Sequence, residues 1–319
     1  MDASLNGPGR PLAERVWPVL AEAALLLLLV ALSLAAVWYH QLGDSPTFDE
    51  AIHLFSGAEA LEDGSFWLNP EHPPLLKLAG ALGLRPLRLA TPCGPAPCAA
   101  SPFNGYLHWF YGNSAPADRI VAAGRRPFPW VLALLVVALH LGVRRVAGPA
   151  AGLLAAGLVA LDPGFVAHAA YVHTDVGASL AFFAVVLLAV RAATGTSLSR
   201  WLVLGLALGL ALVTKFSAIL LVPVVAAAPL FSLLLPAGPG PGSGGRPAWA
   251  VTRDRLVGAV LALGIGGLVV FGVQSFALRR MPPAAVEAAV RTYLQSRPAR
   301  PGSRCRAPML NDDRVEERR

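Results

Sequence analysis

Seven apolar runs, at about residues 19–38, 128–141, 146–161, 176–190, 201–213, 216–235 and 256–277, limit what this chain can fold into. A helix rises 1.5 Å per residue, so about 20 apolar residues cross the roughly 30 Å hydrocarbon core of a bilayer. The expected fold is all-α: a polytopic transmembrane helix bundle of about seven spans. The composition agrees, because 55% hydrophobic against 14% charged residues is too apolar for an ordinary soluble domain. The middle runs are short and rich in Gly and Ala, which suits close helix packing. The first follows Arg10 and Arg15 and is longer than a signal-peptide core, so it reads as an uncleaved span.

Arginines set the expected orientation, since Lys and Arg in short loops stay on the cytoplasmic side. Arg10 and Arg15, Arg144 and Arg145, Arg191 and Arg200, then Arg246, Arg253 and Arg255 fall in alternate loops. The N-terminus is therefore expected inside, in a cell (inner or plasma) membrane. The long first loop, about 40–127, and the short connections around Asp162 to Asp175 and around Lys215 are expected outside. The net charge of +7 comes mostly from loop and tail arginines without interleaved aromatics, so it signals topology and not a nucleic-acid partner. Residues 1–278 read as the membrane region and 279–319 as an Arg- and Pro-rich tail, expected to be disordered.

The polar chemistry gathers in "TFDEAIHLFSGAEALEDGSFWLNPEHPPLLKL", residues 47–78. Phe48, Ile52 and Phe55 recur at helical spacing, which predicts an amphipathic helix on the outer membrane surface; "HPPLLKLAGALGL" predicts a second short helix. Thr47 with Glu50 three positions on is a capping box, and acids in a first turn also suit the helix dipole. Asp49 can then serve as a general base, with His53 one turn further along the same face. Lys77 and Lys215 are the only lysines, both on outer segments, where a compact charge suits a phosphate or simply snorkels. Arg125 and Arg126 lie on the outer side against the topology rule and could hold an anionic head group. Asp175 in "HTDV" is either a helix cap or a second carboxylate at the same mouth.

His53, His72, Glu50 and Glu71 match no metal signature, so no metal and no cofactor are expected. Cys93 and Cys98 are too few for a zinc site, and whether they form a disulfide is open.

The outer "FDE", "HPPLLK", "ALDPGFVAHAAYVHTD" and "GLALGLALVTKFSAILLVP" together resemble the bacterial relatives of the protein O-mannosyltransferases, in the GT-C superfamily of membrane glycosyltransferases. The resemblance implies transfer of a sugar, with inversion, from a polyprenyl-phosphate-linked donor to a protein, lipid or glycan acceptor at the outer face. It implies Asp49 as base within the Asp49–Glu50 pair, places His72 and Lys77 on the HPPLxK element, and sets Lys215 near the lipid phosphate. The tail resembles nothing in the family, so a truncated or frame-shifted chain is one expectation. A polytopic transporter is the rival function, although such proteins gather ionisable residues near the bilayer midplane and here they gather at outer ends.

Overall fold

Each of the seven apolar runs is helical, and among the described residues there is no strand. The computed structural model describes residues 12–63, 69, 72–90, 106, 109–195, 197–234 and 248–279. Cys93, Cys98, Glu71, Arg246 and the tail from 280 lie outside them. In chain order the helices are α1 (Leu12–Gly43), α2 (Phe48–Asp63), α3 (Leu75–Leu84), α4 (Ala117–Arg125), α5 (Phe128–Ala147), α6 (Pro149–Ala160), α7 (Pro163–Ala170), α8 (Asp175–Ala193), α9 (Leu198–Leu212), α10 (Leu221–Leu234) and α11 (Ala248–Arg279).

Four stretches are long and apolar enough to cross a membrane: Val16–Gly43, Ala117–Ala147, Asp175–Ala193 and Trp249–Ser275. The count rises to five if α6 and α7, bent by 57° to one another, form one broken span. Leu198–Leu212 and Phe216–Phe231 are apolar but shorter. The outward-facing side chains are large and apolar, among them Leu27, Leu158, Val260, Leu268 and Phe271, as lipid contact requires.

Local sequence explains the two sharpest reversals. Gly148 adopts φ +89°, a region L side chains rarely enter, and Pro149 starts the next helix at once, so α5 folds back on α6 through one residue. Asp162 then caps α7 by accepting from the Phe165 N–H at 2.9 Å, with Pro163 at the first helical position. Residues 163–170 are thus a helix where a plain connection was expected.

Three apolar cores hold the fold. One joins α1, α5, α6 and α7 through Val37, Leu132, Val136, Ala156 and Val166. A second joins α8 to α11 through Val185, Trp201, Leu204, Leu208, Leu221 and Ala262. In that core the backbones of α9 and α11 nearly touch: a Cβ on Gly205 would meet the Ala262 carbonyl oxygen at 2.7 Å, and one on Gly258 the Trp201 ring at 2.4 Å. The third core joins the long first loop to the connection before α8, where Leu54, Phe55, Leu76, Trp109, Phe110, Ile120 and Val172 pack together.

This last core corrects one expectation. α2 is not an amphipathic helix lying on a surface: Glu50, His53, Leu54, Phe55, Ser56 and Glu59 are all buried, so neither face of it is free, and Phe48 is among its exposed residues. It packs on α3 so closely that a Cβ on Gly57 would lie 2.2 Å from the Lys77 carbonyl oxygen.

Glu22, an acid inside the first apolar run, is paired where α1 meets α5: its Oε1 lies 2.8 Å from both His140 Nε2 and Arg144 Nε. Pairing lowers the cost of a carboxylate in an apolar helix face.

Candidate active site

The expected site residues divide into a buried structural group and an open group. Glu50 and Arg125 are the centre of the first. Arg125 donates from Nε to Glu50 Oε1 and from Nη2 to Glu50 Oε2, each at 2.8 Å, a bidentate pair with both side chains shut from solvent. Its remaining donors go to the carbonyl oxygens of Asp44 (3.0 Å) and Ser45 (3.1 Å), and its guanidinium stacks 5.0 Å from the Tyr171 ring centre. Glu50 also accepts from the Val172 N–H at 3.0 Å and, in the capping box, from the Thr47 N–H at 2.9 Å and the Thr47 hydroxyl at 3.2 Å. The side-chain polar atoms of both residues, expected as a phosphate ligand and a catalytic acid, are thus engaged with one another and with the surrounding backbone.

Lys77 is likewise committed. Its buried ammonium donates to the Asn69 carbonyl oxygen at 2.6 Å and to Asn69 Oδ1 at 3.3 Å, clasping the turn before α3. Burial pushes its pKa down to about 8. It ties Asn69 to α3.

The open group starts with Asp49 and Arg126, both exposed, with no side-chain hydrogen bond or ion pair to the described residues. One helical turn after Asp49, His53 is buried, and its Nδ1 lies 2.9 Å from the Val172 carbonyl oxygen, a contact that requires Nδ1–H to donate. Desolvation lowers its pKa to about 4, so it is neutral at ordinary pH. Its ring meets His72 edge-on at 5.0 Å and tilts against His173 at 6.4 Å; His173 in turn lies 5.3 Å from His168. The four imidazoles form a chain from α2 and the HPPLLK turn to the start of α8.

That chain ends at a cavity of about 570 Å³ between α7, α8 and the turn after α9. Phe165, Val176 and Phe182 supply apolar wall, while His168, Asp175, Lys215 and Ser217 supply the polar part. Lys215 pairs with Asp175 Oδ1; His173 Nδ1 and His168 Nδ1 lie 2.9 and 3.5 Å from Asp175 Oδ2. Thr174 holds the N-cap position without a side-chain bond, Ser179 and Ala178 bond backbone oxygens of the first turn, and the Asp175 carboxylate points to its cationic and imidazole neighbours.

The long first loop is docked onto this corner. The Leu75 N–H donates to the Val213 carbonyl oxygen at 3.1 Å, tying the HPPLLK segment to the turn that carries Lys215. Leu76 presses on Gly177 of α8, where a Cβ would lie 2.5 Å from its methyl carbon. His168 and His173 had no role in the sequence reading. Their spacing to Asp175 within one connection was the available signal.

Residues 123–237 match the model of the dolichyl-phosphate-mannose-protein mannosyltransferase family, which is of the GT-C type. No curated protein matches the chain. The matched segment contains α7, α8, α9 and the Lys215 turn, and with them every residue that lines the cavity.

Proposed function

We propose that this mannosyltransferase-like chain moves a sugar from a polyprenyl-phosphate-linked donor to an acceptor hydroxyl, with inversion, at the outer face of the membrane. The observation that carries the reading is the two-sided lining of the cavity within the family-matched segment. Phe165, Val176 and Phe182 suit an apolar chain, and Lys215 at its polar part suits a phosphate. A lipid-linked sugar phosphate has both characters in one molecule. Nucleotide sugars are highly charged and cytoplasmic, so a site on the outer side needs a donor that the membrane itself carries. The alternation of arginines supports that orientation, with the N-terminus inside.

In this mechanism Lys215 holds the departing phosphate and Asp49 takes the proton from the attacking hydroxyl. Asp49 suits the base because its carboxylate is exposed and uncommitted, whereas that of Glu50 is fully engaged. Exposed Arg126 is a further cation available to the lipid head group. His72 stands edge-on to His53 at 5.0 Å.

The test is sugar transfer from a polyprenyl-phosphate donor in membranes with matched expression. Asp49→Asn is expected to lower the rate by about 10² to 10⁴-fold, the usual contribution of a positioned base, with folding unchanged. Full activity in that variant would remove Asp49 from the mechanism.

A further inference from the structure

We infer that His168, His173 and Asp175 form a mononuclear site for a divalent transition metal of the zinc type, with an open coordination position on the cavity. One ligand atom from each of the three residues lies within 4.8 Å of the other two. Tetrahedral zinc with bonds of about 2.0–2.2 Å sets its ligand atoms roughly 3.4 Å apart. The two nitrogens stand 2.9 and 3.5 Å from the same carboxylate oxygen, on either side of that spacing.

A second observation separates this from an ordinary hydrogen-bonded cluster. His173 Nδ1 is buried, and although it lies 2.9 Å from Asp175 Oδ2 it makes no hydrogen bond. Nitrogen and oxygen sit side by side, as two ligands of one ion do, and not as donor facing acceptor. An unpaired buried nitrogen costs stability in this position unless something binds it.

The donor set chooses the metal class. Two imidazoles with one carboxylate suit zinc and its first-row neighbours, whereas magnesium and calcium favour oxygen ligands alone. The framework is firm: His168 ends α7, whose start is capped by Asp162, and Asp175 begins α8. Lys215 pairs with the other carboxylate oxygen, which leaves Oδ2 to the ion. Because His168 and Asp175 line the cavity, the fourth position faces a space that admits water or an anionic oxygen. Lys215 also places a positive charge beside the ion, which weakens metal binding.

The experiment uses the full chain in detergent, with Cys93, Cys98 and Cys305 changed to Ser and stripped of metal, titrated with Co²⁺ and Zn²⁺ alone. One Co²⁺ per chain is expected, with visible d–d bands, and Zn²⁺ should displace it and raise the unfolding temperature. His173→Ala and Asp175→Asn should each weaken binding by more than the roughly 10 to 100-fold that loss of a supporting contact costs. Lys215→Gln should bind Co²⁺ more tightly than the parent. Absence of stoichiometric uptake by the folded parent overturns the site. So does a folded His173→Ala chain that keeps the parent spectrum and affinity. If His173→Ala does not fold, a folded Asp175→Asn or His168→Ala chain that keeps the parent spectrum and affinity decides against the site. Sugar transfer enters none of these readouts, so failure here leaves the proposed reaction standing.

Discussion

Glu50 and Arg125, 75 positions apart in the chain, meet in a two-pronged ion pair that neither shares with solvent. The pair joins the start of α2 to the end of α4, and through Val172 and the carbonyl groups of Asp44 and Ser45 it joins both to the ends of α1 and α7. Removing one partner leaves a buried charge without compensation, which costs about 3–5 kcal/mol. Arg125→Met or Glu50→Gln should therefore lower the unfolding temperature in detergent sharply, and the double variant should lose less than the two single losses added. Additive losses would mean that the two side chains act separately.

Acidity should loosen α2 and α3 through His53. Its folded pKa, about 4, lies below the ordinary 6.5, so the unfolded chain binds a proton that the folded chain refuses between those values. The stabilisation is complete above pH 6.5 and falls as pH drops toward 4, by on the order of 3 kcal/mol at most. Lys77 has the same sign at higher pH, with stability rising as pH climbs from about 8 to 10.5. Thermal unfolding across both windows measures this, and His53→Gln should flatten the acid limb alone.

Gly57→Val should disrupt the contact of α2 with α3, because the new Cβ would fall on a backbone oxygen that has no room to rotate away. Overpacking of this kind costs about 1–3 kcal/mol or more. Gly264→Ala, where nothing lies within 4 Å of the added carbon, is the matched control. Equal unfolding temperatures for the two variants would contradict the packing described.

Lys215→Ala should raise the concentration of lipid-linked donor needed for half-maximal transfer, while the protein remains folded, since the side chain is only partly buried and its one side-chain partner among the described residues is Asp175. A charge-assisted contact to phosphate is worth about 1.5–3 kcal/mol, which corresponds to roughly 10 to 150-fold in donor dependence. An unchanged donor dependence would leave Lys215 as the ordinary partner of Asp175.

The helices were legible because apolar run length is a local property, and α1, α5, α8 and α11 each follow one run. The surroundings of α2 were not. Phe48, Ile52 and Phe55 show a helical stripe, but residues that enclose the helix, Trp109, Phe110, Ile120 and Val172, are distant in the chain, and no local pattern announces them. Arg125 and Arg126 make the same point at single-residue scale. Adjacent in sequence, they point about 100° apart on a helical path, so one enters the core and the other meets solvent. The scarcity of lysine marked two notable positions, yet only Lys215 lines the cavity; Lys77 was spent on Asn69. Thr47 with Glu50 gave the capping contact correctly, since that interaction spans three residues.

The near-contact of α9 with α11 has a bearing on any attempt to excise the family-matched segment. A fragment cut at residue 237 would lack α11, and its α9 would present an empty trench floored by Gly205 and Gly209 and edged by Trp201, Leu204 and Leu208. Such a trench was shaped for a backbone, and lipid tails cannot fill it as closely. The boundary drawn by sequence similarity is thus not a boundary of autonomous folding.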